Sequence, residues 1–169
     1  MPVSHRIEES ELRVDMESGR TTGAGDVVIY LALFTYRPVS LIAMRLPPND
    51  RTEQSLNNLV SLSLSVPHPN ILSLYGWVRK GTDMVGLVTE RVLGVLSDVV
   101  DTLHSYRDRV ETALDVSAAL CHLHNRGIVL GDLSPHTFFV TEAGQTKLGN
   151  LRSTSDYMAR TERERERER

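Results

Sequence analysis

Two short polar turns held between apolar runs carry the residues of this chain best placed for chemistry. Ile128, Val129 and Leu130 precede the first turn, and Phe138, Phe139 and Val140 follow it. Asp132 sits at the tip of that turn and Asn150 in the second, so a carboxylate and a carboxamide could bring acceptor oxygens to one cleft. Pro135 and Gly144 punctuate the segment where tight bends are needed, and residues 128–151 read as a short strand, a turn, a hairpin and a second turn. A second candidate is the glycine-bearing turn of Gly19, Gly23 and Gly25, since such turns bring backbone N–H groups close to phosphates. The spacing is not Gly-x-Gly-x-x-Gly and no Lys-Ser or Lys-Thr follows, so a plain hairpin turn is the better reading. Cys121, His122 and His124 invite a metal reading, but only Cys121 and His124 share a helical face. A zinc site needs about three to four ligands, so no metal is expected.

The elements around these residues form a regular series. Val27–Phe34 reads as a strand after the glycine turn, and Val39–Leu46 as another, closed by Pro47 and Pro48, which cannot continue a ladder. Asn49 or Asp50 caps a helix to about Ser65 with Leu56, Leu59, Val60 and Leu64 on one face. Met84–Glu90 reads as a further strand. A long helix from about Tyr106 to Arg126 carries Ala113, Val116, Leu120 and Leu123 on one stripe, with Gly127 as its stop. The 169 residues, 40% hydrophobic and 24% charged, suit one domain with a real core or two small lobes. A net charge of −3 gives no electrostatic reason to expect nucleic acid or anionic membrane as partner. A single cysteine fits a reducing compartment, and with no basic start followed by an apolar run and no membrane span in the sequence, the expected location is cytosol or nucleus.

The order of these segments resembles the eukaryotic protein kinases. His68-Pro69-Asn70-Ile71-Leu72-Ser73-Leu74-Tyr75-Gly76 is similar to the family's His-Pro-Asn-Ile-x-x-Leu-Tyr-Gly run, which leads from a helix into the fourth strand. Ile42-Ala43-Met44-Arg45 resembles Val-Ala-Ile-Lys, Gly94–Leu103 the helix that opens the large lobe, and Leu130–Thr137 the catalytic loop His-Arg-Asp-Leu-Lys-Pro-x-Asn. Lys147–Arg152 resembles Lys-Leu-x-Asp-Phe-Gly. The resemblance implies an α+β, protein kinase-like fold: an antiparallel small-lobe sheet with one helix, then the first helices and catalytic-loop hairpin of an incomplete large lobe. It implies a small lobe over 19–92 and a partial large lobe over 93–152, while composition alone reads 1–18 as a polar leader or first frayed strand and 153–169 as a flexible Arg/Glu tail.

For chemistry the resemblance is carried over residue by residue. Asp132 keeps the catalytic-base identity. Arg45 stands for the phosphate-binding lysine, whose planar fork is not an equivalent. Thr137 and Asn150 stand for the two metal ligands, and Asn150 brings no negative charge. Ser134 and Gly131 replace the loop lysine and arginine, and the helix glutamate position falls near Asn58 or Leu59. Losing one preorganised group costs about a hundredfold to a thousandfold, and several are missing together. The expectation is a catalytically impaired kinase-like protein, a pseudokinase, serving as an interaction or regulatory module in signalling with a protein partner. ATP is the cofactor it could retain, held by Gly23, Gly25, Ala43, Arg45, the backbone of Glu90 and Val92, Thr137 and Asn150, with magnesium lacking its ligands. The alternatives are a weakly active protein kinase and a truncated fragment without function.

Overall fold

The computed structural model describes residues 5–23, 27–46, 50–81, 84–102, 105–131 and 133–149. Asp132, Gly25, Asn150, the Pro47-Pro48-Asn49 segment and the expected tail over 153–169 lie outside the described residues. The elements run β1 (Leu12–Thr21), β2 (Val27–Phe34), β3 (Arg37–Arg45), α1 (Asp50–Ser65), β4 (Leu74–Lys80), β5 (Met84–Thr89), β6 (Val92–Val95), α2 (Leu96–Val99), α3 (Tyr106–His124), β7 (Phe138–Thr141) and β8 (Thr146–Leu148). Five strands form an antiparallel sheet in the order β1-β2-β3-β5-β4, and β6, β7 and β8 form a second sheet. The architecture is α+β and compatible with a kinase small lobe.

Strand alternation gives the large sheet two apolar faces. Ile29, Ile42, Trp77, Val85 and Leu87 point to the inner face and pack with Leu56, Leu59 and Val60 of α1. Leu12, Ala32, Val39, Leu41, Val78 and Val88 point the other way, where Ile7 covers part of them. Trp77 is only 1% exposed, and its Nε1 donates to Asn57 Oδ1 at 2.8 Å, so indole packing and the polar handle both fix α1 on the sheet. The same Asn57 oxygen accepts the His5 N–H at 2.9 Å, tying the first described residues to α1.

The expected boundary between residues 18 and 19 falls inside β1. Leu12 and Val14 lie on the outer face, but pairing with β2 slips between Asp15 and Arg20. Within that bulge Ser18 Oγ accepts the Leu31 N–H at 2.8 Å and donates to the Asp15 carbonyl at 2.6 Å. A side chain thus replaces ladder bonds there, which is why the segment lacks a clean period of two. β2 and β3 join through Thr35 and Tyr36, both with positive φ (46° and 67°), the two-residue hairpin geometry that matches strand twist.

In α1 the inward row is Leu56, Leu59, Val60 and Ser63, with Leu64 exposed: the row advances by seven residues rather than eight. The Ser63 hydroxyl is satisfied by the Leu72 carbonyl at 3.1 Å. Gly94 and Val95, expected in a helix, lie in β6 and pair with Val140 and Phe139, so the expected 92/93 boundary also falls inside a strand. Residues 128–130, expected as a strand, form none, although Ile128 is buried. β7 and β8 are the expected hairpin, with Gly144 at φ +78°.

α3 begins at Ser105, whose side chain accepts the Asp108 N–H at 3.0 Å, and the chain leaves it through Gly127 at φ +71°. Ala119 and Leu123 enter the core, Val116 and Leu120 are half-buried, and Ala113 is exposed. His122 stacks on His68 with ring centroids 4.5 Å apart. Burial, then the Arg126 guanidinium, then His68 hold its pKa below the ordinary histidine value, against a backbone hydrogen bond at Val66. No helix among the described residues is long and apolar enough to cross a membrane.

Candidate functional site

The segment joining the two sheets is Glu90 and Arg91, between β5 and β6. Ser40 of β3 pairs directly with Thr89 of β5, and its side chain is fully buried. Ser40 Oγ accepts the Val92 N–H at 3.1 Å and lies 3.5 Å from the Val92 carbonyl. Thr89 Oγ1 donates to the Glu90 carbonyl at 2.8 Å. A carbonyl has a second lone pair, but an N–H has one hydrogen, so the Val92 donor is fully committed. Glu90 is held at both ends: its N–H donates to the Ser73 carbonyl at 3.1 Å, while its carboxylate accepts the Ser73 N–H at 2.9 Å and pairs with Lys147 Nζ at 2.8 Å.

The glycine turn is tethered to the second sheet's side of the molecule. Gly23 N–H donates to Asp98 Oδ1 of α2 at 3.1 Å, and the same oxygen accepts Ser97 Oγ at 3.3 Å. A Cβ at Gly23 would stand 3.0 Å from that carboxylate oxygen, so a larger residue there would push the Asp98 side chain back by a few tenths of an ångström. A carboxylate of the chain itself therefore occupies an N–H of the turn that the sequence offered for phosphate.

Ala43 and Arg45 share one face of β3, and it is the outer one, opposite α1. Ala43 is buried against an apolar cavity there and Arg45 is exposed, while Met44 and Leu46 pack against the inner core. Arg45 pairs with Met84, at the opposite end of the β3–β5 ladder from the Ser40–Thr89 pair beside the segment joining the two sheets. The ion pair to α1 instead joins Glu53 to Arg79 of β4 at 3.3 Å.

In the loop before β7, Pro135–Thr137 forms a single 3-10 turn. Thr137 is 1% exposed and its Oγ1 donates to the Ser134 carbonyl at 2.6 Å, so this hydroxyl closes its own turn. Gly149 N–H donates to the Thr137 carbonyl at 3.0 Å. Asn70 bridges from the α1–β4 connection: its carbonyl accepts the Leu148 N–H at 2.8 Å and its Nδ2 donates to the Thr146 carbonyl at 3.1 Å. Asp115 of α3 accepts the Thr146 N–H at 2.8 Å. The hairpin is thereby fixed to both the α1–β4 connection and α3. Asp132 and Asn150, at its two ends, lie outside the described residues, and no cluster of three metal-ligating side chains occurs among those described.

The structure brings Glu90, Val92 and, through Asp98, Gly23 to the junction of the two sheets, buries Thr137 beneath the loop, and separates Ala43 and Arg45 from all of them. A cavity of about 320 Å³ beside the junction is lined by Arg13, Asp15, Leu31, Leu33 and Arg91 among others, and by none of the expected site residues. Sequence reasoning missed Ser40, Thr89, Asp98 and Arg79. Ser40 had a legible signal, a lone hydroxyl within the apolar run Val39–Ala43, because a buried hydroxyl must find a partner. Asp98 and Arg79 had none, since their partners lie 75 and 26 residues away in the chain.

No family model matches the chain. It is 26% identical over 128 residues to the serine/threonine-protein kinase PAK 5 of Rattus norvegicus, an alignment covering 75% of this chain and 18% of that protein. Over 105 residues it is 27% identical to the Aurora kinase of Candida albicans, covering 61% and 20% of the two chains. It is also 32% identical over 100 residues to the inactive serine/threonine-protein kinase TEX14 of Mus musculus, covering 53% and 7%. The chain spans a fifth or less of the length of these three relatives. Over part of its length, this is a kinase-like protein.

Proposed function

We propose that the chain is a catalytically impaired, pseudokinase-like module that acts in signalling through protein contacts rather than phosphoryl transfer. The observation that carries this reading is the Ser40–Val92 hydrogen bond: by the kinase resemblance Glu90-Arg91-Val92 is the hinge whose backbone holds adenine, and the Val92 N–H is already bonded inside the chain. The Gly23–Asp98 contact adds to it, placing a negative charge at the turn that would cover phosphates. At the loop, Ser134 and Thr137 replace a cation and a metal-binding carboxamide of the family pattern, and the Thr137 hydroxyl is spent on its own turn. ATP, if it entered, would have to displace these bonds, and magnesium would meet no complete ligand set.

A partner surface on α3 fits the same reading. Tyr106, Val110 and Leu114 recur every four residues and are 85%, 37% and 63% exposed, an apolar row on one helical face. The deciding experiment is phosphate transfer from radiolabelled ATP to a mixed protein substrate, with Asp132→Asn as the control. The expected rate is equal in both chains, and transfer that vanishes in Asp132→Asn would establish an active kinase instead.

A further inference from the structure

The outer face of the five-stranded sheet carries a cavity of about 270 Å³ whose walls include Leu12, Val14, Leu41, Ala43, Val78 and Met84. Sheet faces turned to solvent are ordinarily polar, so an open apolar hollow here calls for an occupant. The chain covers only its margin: Ile7 N–H donates to the Trp77 carbonyl at 2.8 Å, which lays the first described residues along β4.

Charge is distributed unevenly around the hollow. Arg45, Met84 and Lys80 stand directly opposite one another across β3, β5 and β4, so two cations flank one apolar side chain at the same end. Among the described residues the only hydrogen-bond acceptor of the Lys80 ammonium is Met16 Sδ at 3.6 Å, a weak one, and Arg45 has no ion pair. The one acid in the lining is Glu9. The hollow is therefore apolar along most of its walls, with Lys80 in its lining and a second cation, Arg45, directly beyond Met84 at the same end.

We infer that this face binds a free medium-chain fatty carboxylate, with its head between Lys80 and Arg45 and its chain running over Ala43 and Leu41 toward Leu12. The volume falls just under the roughly 300–1,000 Å³ of pockets for drug-sized ligands, which suits a short single chain. The cationic end selects a negative head. The site is separate from the hinge, so it stands or falls independently of the pseudokinase reading.

Calorimetric titration of the full chain with decanoate tests it, with circular dichroism melts to verify that each variant folds. The expected result is saturable one-to-one binding, weakened at least tenfold in Arg45→Ala/Lys80→Ala and at least tenfold for decyl alcohol, and lost in Ala43→Phe, whose ring would fill the hollow. No saturable binding, equal affinity for the alcohol, or undiminished affinity in the Arg45→Ala/Lys80→Ala variant would overturn the inference. That double variant changes rim positions, so it remains decisive if Ala43→Phe fails to fold.

Discussion

Ser40 Oγ, from a side chain with no solvent exposure, accepts the backbone N–H of Val92 at 3.1 Å and so spends that donor inside the molecule. Both partners are buried, so replacing Ser40 by alanine leaves an orphaned donor, which costs about 1–3 kcal/mol. Urea denaturation of Ser40→Ala should show that loss with an unchanged denaturant slope. Wild-type stability would mean that the bond is not formed in solution.

Lys147 and Glu90 join β8 to the hinge at 2.8 Å with side chains 12% and 23% exposed. This setting lies between that of exposed pairs, worth about 0–1 kcal/mol, and buried ones, whose breakage costs about 3–5 kcal/mol. Lys147→Met should therefore cost about 2 kcal/mol, and Glu90→Gln in the same chain should recover part of it. Additive losses in the double variant would show that the two groups do not couple.

The hairpin between β2 and β3 places a β-branched threonine and a tyrosine at positive φ, where L-residues incur roughly 1–2 kcal/mol each. Tyr36 is 89% exposed, so little packing is forfeited there. Thr35→Asn combined with Tyr36→Gly should raise stability by about 1 kcal/mol. A lowered melting temperature would mean that these side chains hold contacts worth more than the relieved strain.

His122 should make stability fall on acidification. Its folded-state pKa lies below 6.5, so the unfolded chain binds the proton more readily; the contribution is complete above pH 6.5 and is lost as pH drops from there to the folded-state value. Arg126 is the cation that a protonated His122 would meet, with the His68 ring packed against it. His122→Gln should flatten the stability profile below pH 6.5, and an unaltered slope would assign the acid sensitivity elsewhere.

The strands were legible where side chains alternate cleanly. Val27–Phe34 is β2 as expected, and the hairpin around Gly144 forms where the sequence places it. The site was less legible because alternation says which residues share a face, not which face meets the cleft. Ala43 and Arg45 do share a face, but Ile42 and Ile29, packed beneath α1, turn that face outward. Glu53 likewise finds Arg79 rather than Arg45, a choice made by how α1 sits across β4. Asn70 is the converse case: a residue in a readable motif proves to clamp β8 through two hydrogen bonds that no local pattern encodes.

The occupied hinge is tested most directly by a thermal-shift titration of the wild-type chain with ATP, with and without magnesium. A ligand that binds only the folded state at a hundred times its Kd stabilises by about 2.7 kcal/mol, well above detection. The expected result is no saturable rise in Tm under either condition. A saturable rise under either condition would contradict the occupied Val92 donor, and a magnesium-dependent one would restore the chain as a candidate nucleotide-dependent kinase.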